Sequence, residues 1–227
     1  MIDKTYIMEK YNNNIEELKK YAEMIYEQNK YMNISGFKTI EEIFDNGIIS
    51  SLICLETYFN ETNKEWINKK ILDIGAGAGF PSIPFLLVNK NFELTILESQ
   101  NKRCIFLNSI KEAFGLNNLT IINSRAEDYI KETNSFDFIT ARALSSIKNI
   151  YMMSHHLLKL NGYWILPKGK KYKEELEEFY SKFYNHNSEV FTYNYIYSNE
   201  QSYIIEIQKK QETNKKWPLQ WKDIQKY

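Results

Sequence analysis

Three glycines alternate at Gly75, Gly77 and Gly79, directly after the apolar run ILDI and directly before FPSIPFLL. A strand that breaks into glycines and then a helix brings bare backbone to a tight turn. Such a turn can lie flat against a nucleotide. The dinucleotide fingerprint spaces its glycines G-x-G-x-x-G, which requires the third at position 80. Position 80 is Phe80. A glycine there lets helix and strand approach closely; a phenyl ring does not, so a bound diphosphate is disfavoured. Asp73 sits inside the strand end, where it can organise the loop through backbone N–H groups. Pro81 and Pro84 follow, and both fit a first helical turn, whose N–H groups lack intrahelical partners.

Two acids and an arginine stand at matching places further on. Glu98 closes the run FELTILE, about 20 residues beyond the glycines, where a carboxylate can accept hydrogen bonds from both hydroxyls of a ribose. S-adenosylmethionine and NAD both carry that ribose, so Glu98 alone does not choose between them. In NSRAEDY, Glu127 or Asp128 can meet an adenine amino group, with the Ala126 backbone beside the ring. Arg142 directly follows FDFITA and is expected to point toward the crevice at the strand ends. Arg103, Arg125 and Arg142 are the only arginines in a Lys-rich chain, and a guanidinium fork is not replaceable by lysine.

These residues need a sheet to hold them. ILDIG, FELTILE, LTIIN, FDFITA and YWILPK are strand-like runs. The stretches between them read as helices: after Phe80, Asn101–Phe114, a short one after Ala126, and Ile147–Leu160. Strands alternating with helices give a parallel sheet covered on both faces. A helix over Lys173–Tyr184 follows. EVFTYNYIY and SYIIEIQ then read as an antiparallel hairpin turning at Ser198–Gln201. A parallel sheet closed by one hairpin is the arrangement of class I S-adenosylmethionine-dependent methyltransferases, an α/β Rossmann-like fold with a mostly parallel seven-stranded sheet. Ahead of it, Ile15, Leu18, Tyr21, Ala22, Ile25 and Tyr26 recur at helical spacing. Thr39 with Glu42 marks a second helical start, running on to about Phe59. The expected organisation is an N-terminal helical extension (1–62), the methyltransferase domain (63–210) and a basic polar tail in loop form (211–227).

The chain has 227 residues, 43% apolar, with a formal net charge of zero. That allows one α/β domain with a helical appendage. Overall charge gives no argument for an RNA or membrane partner, though a local basic surface can still form. Cys54 and Cys104 are too few for a disulfide framework, and with His155, His156 and His186 they show no metal-ligand spacing, so no metal is expected. His155 and His156 read as mid-helix residues of core or surface. Charges interrupt the N-terminus, no apolar run approaches a membrane span, and the expectation is a cytoplasmic monomer.

LDIGAGAGFPSIPF, LESQNKRCIFL, NSRAED, ITARALSS and LPKG, in this order and spacing, resemble the RsmG (GidB) family. NKYMNISG resembles that family's N-x-x-x-N-L-T element. The resemblance spans about residues 26–210. It implies methyl transfer from S-adenosylmethionine to guanine N7 in small-subunit (16S) ribosomal RNA, on free RNA or the 30S particle. It places Gly75, Phe80, Ala126, Glu127 and Arg142 at the cofactor, with Glu98 at the acidic strand end. Asp73, Gly77 and Gly79 complete the candidate cofactor set. It offers Lys102, Arg125 and Lys168 for RNA phosphates, and KGKKYK adds Lys170 and Lys171. The family's K-H-x-L-D-S-L element reads NGIISSL here: Gly47 replaces its His and Ser50 its Asp. Its Y-P-R tail reads WPLQW. Both departures are expected to lie outside the cofactor pocket.

Guanine N7 carries a free lone pair at neutral pH, so no dedicated catalytic base is expected, and Arg142 is the candidate for organising the pocket. A small-molecule methyltransferase on the same fold and a non-catalytic rRNA-binding module remain the alternatives. An NAD oxidoreductase is opposed by Phe80 and the hairpin.

Overall fold

The computed structural model describes residues 2–194 and 201–227. The parallel strands are β1 (Lys70–Ile74), β2 (Glu93–Glu98), β3 (Leu119–Asn123), β4 (Phe136–Thr140) and β5 (Leu158–Lys168). The antiparallel pair is β6 (Ser188–Asn194) and β7 (Gln201–Gln208). They form one seven-stranded sheet in the order β3-β2-β1-β4-β5-β7-β6. The chain reverses its direction of winding between β1 and β4, so both strand ends flank a crevice there. The expected hairpin turn lies outside the described residues, apart from Gln201, which opens β7.

Helices cover the two faces as separate cores. α1 (Lys4–Lys10), α2 (Ile15–Asn29), α3 (Ile40–Glu42), a π-helical stretch Ile43–Ile49, α4 (Ser50–Thr62), α5 (Ser82–Val88) and α6 (Asn101–Ala113) lie on the first. The Thr39 hydroxyl accepts the Glu42 N–H at 3.1 Å, and the Glu42 carboxylate accepts the Lys38 N–H at 2.7 Å, so the helical start is capped from both sides. α7 (Ile147–Ser154), α8 (Tyr172–Lys182) and α9 (Trp221–Ile224) lie on the second.

The N-terminal helices share one apolar core with the sheet. Leu18, Tyr21, Ile25, Leu52 and Tyr58 are buried in the same cluster as Ile71, Phe85 and Ile96. The Tyr21 hydroxyl donates to the Ala78 carbonyl, tying α2 to the glycine loop. The Tyr58 hydroxyl donates to Glu206, tying α4 to β7.

Two sequence expectations need correction. α7 ends at Ser154, not Leu160, and β5 starts at Leu158. The run MMSHHLLKL has no glycine or proline to mark the stop, and pairing of Leu158 with Phe136 overrides its helical look. His155 and His156 therefore follow the helix, and both are buried. The tail is not a loose loop. Its apolar residues Trp217, Leu219, Trp221 and Ile224 pack onto the second core, and residues 221–224 are helical. Among the described residues, no helix is long and apolar enough to cross a membrane.

Candidate functional site

β1 delivers Ile74 into a turn in which Gly75 and Gly77 have φ of +67° and +59°. Side chains rarely adopt those values, so glycine is required. A Cβ on Gly75 would also meet Leu144 Cδ1 at 2.7 Å. Asp73 is bonded at the far end of the loop: its Oδ2 accepts the Ser82 hydroxyl at 2.5 Å, and a Ser82 backbone hydrogen bond adds to it, so that β1 is tied to the start of α5. Its Oδ1 is buried without a partner, as is Thr140 Oγ1 at the opposing position of β4. Burial pushes the Asp73 carboxyl up to about 7, with the Ser82 hydrogen bonds working against it.

The loop amide is taken by Glu98 instead. Its Oε2 accepts the Gly77 N–H at 3.3 Å, and its Oε1 accepts the Gln100 N–H at 2.9 Å. Arg103 Nη1 stands 3.7 Å from the same carboxylate. Glu98 is 2% exposed. Its neighbours Leu97 and Ser99 line the first of two clefts, whereas the Glu98 carboxylate is buried behind them and lines neither.

Two clefts meet at Gly75. The first is about 460 Å³, walled by Ile74, Leu97, Ala126, Glu127, Met153 and Trp221. The second, of about 670 Å³, runs between the loop 34–37 and the glycine turn, and holds Phe80, Arg103 and Arg142. The first is mainly apolar, with the ion-paired Arg125 and Glu127 on one side, and the second carries the guanidinium groups of Arg103 and Arg142.

Arg142 is fixed by the N-terminal extension. Its Nη2 donates to the Asn46 carbonyl at 3.0 Å and its Nη1 to Ser51 Oγ at 3.2 Å. Phe80 lies 5.9 Å from the guanidinium carbon by its ring centre, and meets Tyr21 and Phe37 edge-on. Gly47 abuts this ring: a Cβ there would come within 2.4 Å of Phe80 Cζ. The Gly47 departure is therefore in contact with the pocket wall, contrary to expectation. The π-helical stretch brings the backbone this close, and π-bulges often occur at functional sites.

The structure brings Gly75, Gly77, Phe80, Ala126, Glu127 and Arg142 onto the two clefts, with Gly79 and Asp73 behind the turn. Asp128 is exposed and does not line either cleft. Lys168 is not placed for phosphate: its Nζ donates to the Ser145 carbonyl and to Glu175, both at 2.7 Å, and its side chain is 8% exposed. It braces the loop after β4. Arg125 pairs with Glu127 at 2.6 Å. Lys102, Lys170 and Lys171 are exposed. His155 lies outside both clefts, where burial holds its imidazole down to about 3. Residues missed from the sequence are Arg103, Phe37, Leu144 and Trp221. Arg103 left a signal as one of only three arginines, and Trp221 as part of the WPLQW departure, which reaches the first cleft, contrary to expectation.

A seven-stranded sheet of this order, with a glycine turn after β1 and a buried acid ending β2, defines a class I S-adenosylmethionine-dependent methyltransferase. The structure is similar to a putative methyltransferase of that kind from Methanococcus maripaludis, with a TM-score of 0.59 at 16% identity, covering 84% of this chain and 95% of the other. It is similar also to one from Aquifex aeolicus, with a TM-score of 0.56 at 16% identity, covering 74% and 96%. The chain belongs to the rRNA small subunit methyltransferase G (GidB) family, whose model matches residues 14–204. Among curated relatives named ribosomal RNA small subunit methyltransferase G, the chain is 39% identical to one from Mycoplasmopsis pulmonis, over 71% of this chain and 68% of that one. It is 33% identical to one from Lactococcus lactis subsp. cremoris, over 90% and 86%.

The donor set fits S-adenosylmethionine. The first cleft offers apolar walls for a flat base, and the Glu98 carboxylate is fixed directly behind its Leu97 and Ser99 walls. The left-handed glycines let a ligand approach the backbone. Phe80 fills the place where a diphosphate-binding turn needs a glycine.

Proposed function

We propose that this chain transfers a methyl group from S-adenosylmethionine to N7 of a guanosine in small-subunit ribosomal RNA. The observation that carries it is the division of the crevice at Gly75 into an apolar half and a cationic half. The apolar half suits a nucleoside. The cationic half suits a strand of RNA. The names of the relatives support the RNA class, and the family resemblance supports N7.

The cofactor, when bound, supplies an electrophilic methyl group on a sulfonium centre. Glu98, which already holds the Gly77 and Gln100 amides, would accept the ribose hydroxyls with its remaining lone pairs. Ala126 and Glu127 border the base. Gly75 and Gly77 leave room along the turn. Arg142, clamped by Asn46 and Ser51, holds the wall of the second half beside Phe80. Guanine N7 needs no deprotonation, so the residues work by positioning and by excluding water. Asp73 is buried behind the turn and bonded to Ser82, which suits bracing rather than proton transfer. Lys102, Arg103 and Lys171 offer cations for phosphates, whose counterions are released on binding. The extension 1–62 serves as part of this site, the domain 63–210 carries the cofactor, and the tail 211–227 closes one side.

The test uses methyl-labelled S-adenosylmethionine with purified protein. Label is expected in small-subunit rRNA or 30S particles. Label entering small molecules in the absence of RNA would favour a small-molecule methyltransferase.

A further inference from the structure

We propose that Trp221, from the C-terminal tail, is the outer wall of the nucleoside half of the crevice and a contact residue for the adenine ring. The inference rests on the functional reading above and adds a specific residue to it. Trp221 lines the first cleft together with Gly75, Leu97 and Ala126. It belongs to no strand-end loop. It arrives from a segment that crosses the second core and ends at Ile224, which is fully buried.

Two further contacts fix the ring. The Arg125 guanidinium carbon lies 5.3 Å from its centre, a cation–π distance. Arg125 Nε also donates to Glu127 at 2.6 Å. The series Glu127, Arg125, Trp221 thus joins the acid expected near adenine to the aromatic wall. The other tail residues packed on the core, Trp217 and Leu219, do not line the cleft. Anchoring the tail accounts for Trp217, Leu219 and Ile224. It leaves unexplained why a large indole stays partly exposed where a base would lie. A flat ring there offers stacking area to a purine at little entropic cost.

The test is calorimetric titration of S-adenosylhomocysteine and, separately, adenosine. Wild type, Trp221→Ala, Trp221→Phe and Leu219→Ala are compared. Trp221→Ala is expected to weaken both ligands by about ten-fold, within the range of base–aromatic stacking. Trp221→Phe should stay within about three-fold of wild type. In wild type, tryptophan emission should change on saturation; in Trp221→Phe the ligand should still bind while that change disappears. Leu219→Ala, which loosens the tail away from the cleft, should leave affinity within about three-fold. Equal adenosine affinity for wild type and Trp221→Ala would overturn the proposal. So would an equal loss in Leu219→Ala, which would make Trp221 a tail anchor only. If wild type binds no S-adenosylhomocysteine, the underlying functional reading fails instead.

Discussion

Substituting Gly47→Ala sets two opposing effects against each other. In a helix interior, alanine is favoured over glycine by up to about 1 kcal/mol. The new Cβ, however, would stand 2.4, 2.8 and 3.1 Å from Phe80 Cζ, Cε2 and Cε1. Carbon–carbon contact is comfortable at roughly 3.5–4.0 Å, so the ring must retreat by about 1 Å. It has little room. Phe80 is 8% exposed and meets Tyr21 and Phe37 edge-on at 6.2 and 6.3 Å. Overpacking of this kind costs about 1–3 kcal/mol, so strain outweighs propensity and the net loss is about 0–2 kcal/mol. At about 2–4 °C per kcal/mol, the melting midpoint falls by a few degrees. The glycine turn suffers more, because Phe80 stands beside Gly75, the residue at which the two clefts meet and along which the cofactor would lie. Affinity for S-adenosylhomocysteine, measured by calorimetry, should drop about ten-fold, equivalent to about 1.4 kcal/mol. Phe80→Leu in the same chain shortens the side chain and should recover part of both losses. A Gly47→Ala protein more stable than wild type by about 1 kcal/mol, with unchanged affinity, would refute the reasoning.

Other outcomes follow from single contacts. The Asp73 carboxyl, pushed from 3.8 up to about 7, stays protonated in the fold between those values while the unfolded chain loses its proton. The Asp73 contribution to stability should therefore fall as pH rises from about 4 to 7 and level off above, by up to about 4 kcal/mol, while the buried His155, held down to about 3, contributes the opposite trend over much the same range in both proteins. Asp73→Asn removes that slope; urea unfolding of the two proteins at pH 5 and pH 8 should show the variant gaining relative to wild type, and parallel behaviour would contradict the burial argument. Lys168→Ala should cost about 1–3 kcal/mol of stability by leaving the Ser145 carbonyl and Glu175 without their cation, yet leave the salt dependence of RNA binding unchanged. Lys171→Ala should do the reverse, reducing that salt slope by about one; filter binding across a salt series reads both. Arg142→Lys loses the two-point grip on Asn46 and Ser51, and methyl transfer to rRNA should fall at least about ten-fold with the fold intact by circular dichroism.

The sheet was legible because each strand is a short apolar run rich in Ile, Leu and Phe, bounded by polar turns. The glycine turn, Glu98, the Ala126–Glu127 pair and Arg142 were legible because chemistry fixes their places relative to strand ends. What escaped depends on distant pairing. Lys168 looks like a free cation until Glu175 of α8 folds onto it. Gly47 looks like a lost side chain until Phe80 is found against it. The end of α7 was hidden because residues after Ser154 are apolar enough for either a helix or a strand. The tail read as loop because its apolar residues are scattered among lysines and other polar residues without a strand or helix period, although those apolar residues dock it. The π-helical stretch left no local mark at all.

The central claim is methylation of guanine N7 in small-subunit rRNA, and mass spectrometry of nucleosides tests it most directly. Small-subunit rRNA is taken from cells with and without the gene, and the deficient rRNA is then treated with purified protein and S-adenosylmethionine. The expected result is 7-methylguanosine at one site, absent from the deficient rRNA and restored by the protein. Persistence of that nucleotide without the gene, or failure of the protein to restore it in either rRNA or 30S particles, would contradict the account.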